Sequence, residues 1–123
     1  MSPYGDVAIE VRGGDVWVVL PDAITEETSS SIESCIREKL TGSCDGIVVD
    51  LSRTRHLYSS GIGLIIRMRR LIGERKGSIS IVNVARSCRE LLESVHLDRM
   101  IPLYATDVEF AIEHDSLYEH ACA

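Results

Sequence analysis

Ser59 and Ser60, within the stretch HLYSSGIGLI from His56 to Ile65, are the residues whose type and setting could do chemistry. They stand where a long apolar strand gives way to an apolar run with glycine at every second step. Four roles are open to hydroxyls at such a switch. The first is a helix cap, the oxygen accepting from exposed backbone N–H groups for about 1 kcal/mol; Ser60 is expected to do this. The second is a nucleophile, but the elbow G-x-S-x-G is absent, because Leu57 or Tyr58 occupies the place of its first glycine. His56 lies too close in sequence to be placed as a base. The third is a phosphate-binding loop. Gly61-Ile62-Gly63 is only a fragment of a dinucleotide fingerprint, with Ile66 in place of the third glycine, and no G-x-x-x-x-G-K-[ST] occurs. The fourth role is to receive a phosphate. A helix N-terminus beyond a parallel strand is exposed, and its free N–H groups and dipole tolerate a doubly charged group. Gly61 and Gly63 keep that surface low, so another protein's active site can reach the hydroxyl, and the apolar patch around Ile62 would be the docking surface. A charge of about −1.5 to −2 at its centre would weaken docking through desolvation and repulsion.

The elements that must position these residues follow from periodicity. DVAIEVRGGDVWVVL alternates apolar and polar residues on both sides of Arg12-Gly13-Gly14-Asp15, which predicts a tight β-hairpin. Thr25 is the expected N-cap of a first helix, with Glu26 and Glu27 in its opening turn and Gly42 ending it. Ile32, Cys35, Ile36 and Leu40 recur along it at helical spacing. GIVVDL, from Gly46 to Leu51, reads as a central strand covered on both faces. A second helix is expected from Gly61 to Gly73, then the strand GSISIVNV, the helix ARSCRELLESV, the short strand MIPLY, and a last helix capped by Thr106. The order β-β-α-β-α-β-α-β-α predicts one α/β domain over 1–123: a mixed, mostly parallel sheet, its first hairpin strand an antiparallel edge, with about four helices.

Composition narrows the partners. The 123 residues are 45% hydrophobic and 26% charged, which is a globular balance rather than a disordered one. A net charge of −6 and only 5% aromatic residues argue against a nucleic-acid partner. No apolar run is long enough to cross a bilayer and the N-terminus does not read as a signal peptide, so a soluble, cytoplasmic protein without a membrane partner is expected. Cys35, Cys44, Cys88 and Cys122 form no CxxC pair and have no histidine at metal-ligand spacing, so reduced structural thiols are expected, with no metal and no cofactor. His114 and His120 read as a solvated face and Trp17 as packed. Arg67, Arg69, Arg70, Arg75 and Lys76 would suit an acidic partner surface, but read first as the solvated face and C-terminal dipole complement of the second helix. Arg53 and Arg55 could reach a phosphate on Ser59.

IVVDLSRTRHLYSSGIGLIIRMRRL resembles the diagnostic segment of STAS domains, in particular the small bacterial anti-sigma factor antagonists. Their pattern is an apolar strand ending in D-L-S, then D-S-[ST]-G-[LI]-G and a helix. GSISIVNVARSCRELLESVHLDRMIPLY is similar to the family's later strand, helix and LDR-x-x-P-x-Y ending, so the likeness spans about 7–111. The resemblance implies a phospho-switched binding protein rather than an enzyme, with Ser59 as phosphate acceptor. The implied partners are an anti-sigma factor that is also a serine kinase of the histidine-kinase-like ATPase fold, and a metal-dependent protein phosphatase; a homodimer is compatible with it. Captured by the unphosphorylated antagonist, the kinase frees a sigma factor. Tyr58, Ser60, Gly61, Ile62 and Gly63, with Asp22 and Thr25 from the loop after the second strand, would form the partner-binding surface. The chain departs from the pattern at Tyr58, which replaces the usual aspartate, and at Ile24, where an acid is usual. Tyr58 favours an alternative, a non-phosphorylated STAS scaffold or transporter-complex subunit. A small-ligand enzyme would need a deep pocket at the strand C-termini.

Overall fold

In the computed structural model, the residues described are 7–40, 42 and 44–113. Strands β1 (Ala8–Arg12) and β2 (Asp15–Val19) form the hairpin, with Arg12 paired to Asp15 across a two-residue turn. Gly13 and Gly14 have φ of 54° and 91°, a backbone that only glycine adopts cheaply at both turn positions. Helix α1 (Glu26–Lys39), strand β3 (Gly46–Asp50), helix α2 (Tyr58–Gly73), strand β4 (Ser78–Val82) and helix α3 (Arg86–Ser94) follow. A 3-10 turn over Leu97–Arg99 and helix α4 over 107–113 complete the described chain. The sheet order is β1-β2-β3-β4; β1 is the antiparallel edge and the other pairings are parallel.

Register builds the core. Val16, Ile47 and Ile79 stand side by side across three strands, as do Val18, Val49 and Ile81. These ribs join Ile32 and Ile36 of α1, Leu64, Ile65, Met68 and Ile72 of α2, and Leu92 of α3 in one buried cluster. On the opposite face Val48 and Val82 pack with Phe110 of α4, flanked by Trp17 and Tyr104. Phe110 meets both rings edge to face, at 5.6 Å from Trp17 and 5.5 Å from Tyr104. β3 is therefore covered on both faces, as its unbroken apolar run predicts.

Several expectations are corrected. α1 ends at Lys39 with Leu40 as C-cap, one residue earlier than Gly42 as the terminating glycine implies. MIPLY shrinks to a single parallel bridge between Ile81 and Leu103, made by Ile81 N–H on Pro102 O and Tyr104 N–H on Ile81 O. Pro102 has no N–H to carry the pairing back, and Val84 N–H on Tyr104 O is the one backbone bond beyond the bridge among the described residues. α2 starts at Tyr58, three residues before Gly61. Two of the basic residues are not simply solvated: Arg75 donates to the carbonyls of Leu40 and Cys44, and Arg67 reaches α1. Thr106 does cap α4, accepting from Glu109 N–H at 3.1 Å. Cys35 and Cys88 are buried free thiols and Cys44 is buried; Cys122, His114 and His120 lie outside the described residues. Among the described residues no helix is long and apolar enough to cross a membrane.

Candidate functional site

The loops that follow β2 and β3 lie side by side at the C-terminal ends of parallel strands and are stapled together. Thr54, buried, donates its hydroxyl to Leu20 O at 3.3 Å and Pro21 O at 2.9 Å. Ala23 and His56 form a parallel bridge, and His56 N–H donates to Asp22 O at 3.1 Å. The Asp22 carboxylate accepts from Arg55 N–H at 3.2 Å and pairs with Arg55 Nε at 3.3 Å. From below, the Cys88 thiol donates to Thr54 O at 3.4 Å. Burial pushes that thiol above its ordinary range, with a hydrogen bond to Ser87 pulling the other way. A second staple lies beneath: Asp50 Oδ1 accepts from Ser52 N–H at 2.8 Å and from Asn83 Nδ2 at 3.1 Å, and Asn83 Oδ1 accepts from Asp107 N–H at 3.0 Å. The aspartate that ends the apolar strand is thus a structural joint, as its i+2 backbone acceptor geometry implies.

These staples fix where α2 begins. Leu57, its N-cap residue, is buried, and Tyr58 enters the helix at φ 32° in the left-handed region. A β-carbon-bearing residue there is strained by about 1 kcal/mol or more. Tyr58 is 57% exposed and its ring stacks on His56, centroids 5.5 Å apart and 9° from parallel. No side chain caps this helix and no acid stands in its first turn. The expected Ser60 cap is therefore not made: its hydroxyl donates to the Ile24 carbonyl instead, tying α2 to the loop before α1. The Thr25 cap is made at α1, its oxygen accepting from Thr28 N–H at 3.2 Å.

Ser59 is exposed in the first turn of α2, on the ridge between two open hollows. On the α1 side lies a polar one of about 410 Å³, lined by Glu26, Ser29, Ser30, Ser60, Gly63 and Arg67. On the other side Tyr58, Ile62 and Leu91, with Arg55 and His56, line a more apolar one of about 470 Å³. Ile62 is half-buried and shares this apolar surface, whereas Gly61 is buried. A β-carbon at 61 would stand 3.0 Å from Leu57 Cδ1 and 3.3 Å from Ile24 Cδ1, so Gly61 serves internal packing beneath the surface. Asp22 and Thr25 are exposed on the neighbouring loop. Leu91, contributed by α3, escapes sequence reasoning because the helical spacing of its neighbours marks the whole segment as core.

Among the described residues no three His, Cys, Asp or Glu side chains gather as a metal set. What the arrangement offers is an exposed hydroxyl on an uncapped helix start, flanked by one polar and one apolar surface. Fold and surface together define an α/β domain built around that helix start. The STAS domain family model matches residues 6–110, and the chain belongs to that family. It is 25% identical over 108 residues to an anti-sigma F factor antagonist of Paenibacillus polymyxa, covering 87% of this chain and 92% of that one. Its fold matches an anti-sigma-factor antagonist (STAS) domain protein from Planctomyces limnophilus with a TM-score of 0.74 at 22% identity, covering 87% and 95% of the two chains. It also matches the Bacillus cell fate determinant SpoIIAA in its phosphorylated form, with a TM-score of 0.68 at 22% identity and coverage of 88% and 97%. The protein is thus a STAS domain with a distant likeness to anti-sigma factor antagonists.

Proposed function

We propose that the protein is a cytoplasmic anti-sigma factor antagonist, a single-domain binding protein that captures an anti-sigma factor and so releases a sigma factor. Ser59 is the phosphate acceptor, and the captured partner is also its ATP-dependent kinase, of the histidine-kinase-like ATPase fold. The observation that carries this reading is the exposed Ser59 hydroxyl in the uncapped first turn of α2, between the two hollows. The uncapped N–H groups and helix dipole accommodate the dianion. The same charge, set against the apolar hollow of Tyr58, Ile62 and Leu91, opposes a partner that must desolvate it. A metal-dependent protein phosphatase would restore the hydroxyl. Ser60, Gly63, Asp22 and Thr25 belong to the same docking surface, with Gly61 supporting it from beneath. The fold likeness to a relative solved in phosphorylated form supports the choice of a phosphate switch.

Incubation with the cognate kinase and ATP, read by mass spectrometry, should place one phosphate on Ser59 and none on a Ser59→Ala chain. Modification of Ser59→Ala at the same rate would remove Ser59 from the account. A second reading is favoured by Tyr58, which stacks on His56 where the family pattern has an acid. In it the chain is a constitutive scaffold docking through the same surface, and Ser59→Asp leaves partner binding unchanged.

A further inference from the structure

Ser59, Gly63 and Arg67 stand four residues apart along α2, a spacing that sets them in one row on the helix surface. All three line the polar hollow between α1 and α2. Arg67 is held there from the α1 side: its Nε donates to Glu33 Oε2 at 3.2 Å, and its Nη2 donates to the hydroxyl of buried Ser29. Nη1 takes no hydrogen-bond partner among the described residues. It lies over Gly63, 3.3 Å from where a β-carbon would stand. Long side chains on a helix lean toward its N-terminus, which for Arg67 is the direction of Gly63 and then Ser59. Any side chain at 63 would fill the space between them. Gly63 therefore leaves the wall of the hollow open between Ser59 and the guanidinium.

We propose that Arg67 is the internal receiver of a phosphate on Ser59, its Nη1 donating to a phosphate oxygen across Gly63 while Glu33 and Ser29 hold the fork in place. This rests on Ser59 being the acceptor. The charged groups around the hollow are Glu26 and Arg67 on its wall, with Glu33 behind and Arg37 beyond it, 3.5 Å from Glu33. Without Arg67 the only charged group lining this hollow would be the Glu26 carboxylate. A planar guanidinium already fixed at two of its nitrogens gives up little freedom on taking a third, charge-assisted bond. Arg55 is less suited: it is paired with Asp22 and opens on the other hollow. The contact turns the phosphate toward α1, so the polar hollow is the half of the surface it occupies.

The test uses the full chain with phosphoserine placed at 59 during translation, titrated by phosphorus NMR. An unassisted phosphoserine loses its second proton near pH of about 6. In the otherwise unaltered chain that midpoint should lie lower than in Arg67→Gln by about half a unit or more. Arg67→Lys should recover part of the difference, keeping the charge without the fork. Gly63→Gln, which closes the gap with a residue that suits a helix, should raise the midpoint as Arg67→Gln does. An unchanged midpoint in Arg67→Gln and Gly63→Gln, or a shift that disappears only in Arg55→Gln, would overturn the assignment. Because the phosphate is installed without a kinase, failure of any kinase to modify Ser59 would strike the functional reading alone.

Discussion

Two helix starts follow the C-terminal ends of the neighbouring strands β2 and β3, and they are built in opposite ways. α1 opens on Thr25, whose hydroxyl accepts from Thr28 N–H, with Glu26 and Glu27 set against the positive end of the dipole. α2 opens on Leu57 with no side-chain cap, no acid in its first turn and a left-handed Tyr58. α3 also lacks a side-chain cap, on Ala85, but contains no left-handed residue. At α1 local sequence satisfies the backbone. At α2 the start is imposed from outside, by the Thr54 and Asp22 staples, the Ala23–His56 bridge and the Ser60 hydroxyl on Ile24 O. A helix end held by its surroundings can leave its first turn open to a charged addition; one held by its own cap cannot without losing it.

The sharpest way to break this contrast is Ser59→Asp. An acid added to the first turn of α2 should raise unfolding stability by a few tenths of a kcal/mol, while affinity for the anti-sigma factor falls by about a hundredfold or more, close to 2.7 kcal/mol. Calorimetric titration beside chemical denaturation reads both; a loss of stability would show that the α2 start is not an open one. Ser60→Ala removes the tether to Ile24 O, which is inside the fold, and should cost about 1 to 2 kcal/mol in denaturant midpoint. Thr25→Ala should cost about 1 kcal/mol. Ser59→Ala, with no cap to lose, should stay within about 0.5 kcal/mol. Equal losses at Thr25 and Ser59 would erase the distinction between the two starts.

The smallest effect is in pH. Burial raises the Cys88 thiol above its ordinary 9.0. Tyr104 is raised above its ordinary 10.0, first by burial and then by its hydrogen bond to Glu113 and that carboxylate's charge. In both groups the folded protein holds the proton more tightly than the unfolded chain. The stability linked to it is complete below 9.0 for the thiol and below 10.0 for the phenol, and is lost as pH rises through the folded values. Denaturation midpoints should thus be insensitive to these groups near neutrality and fall in the alkaline range, with Cys88→Ala removing the earlier part of the fall.

The difference between the two helix starts also marks what was legible in the chain. Thr25, Thr106, the Gly13-Gly14 turn and the apolar ribs of β2, β3 and β4 carry their signals within a few residues, and the structure follows them. The start of α2 does not, because what fixes it is more than thirty residues away: Ser60 finds Ile24, Thr54 finds Leu20 and Pro21, and Asp22 finds Arg55. A cap at Ser60 was the local expectation, and a tertiary partner took the hydroxyl. Arg67 was hidden for the same reason. Helical spacing places it on a solvated face, and only the neighbouring α1 turns it inward onto Glu33 and Ser29. Ser59 itself was legible as a candidate, since an exposed hydroxyl at a strand-to-helix switch is a local property.

The central claim, that Ser59 is a switch rather than a bystander, is most directly tested by the affinity of the cognate anti-sigma factor for two forms of this chain, one unmodified and one carrying phosphoserine at 59. Tight binding of the unmodified chain, weakened by about a hundredfold or more in the phosphorylated one, is the predicted result. Equal affinity for the two forms would contradict it.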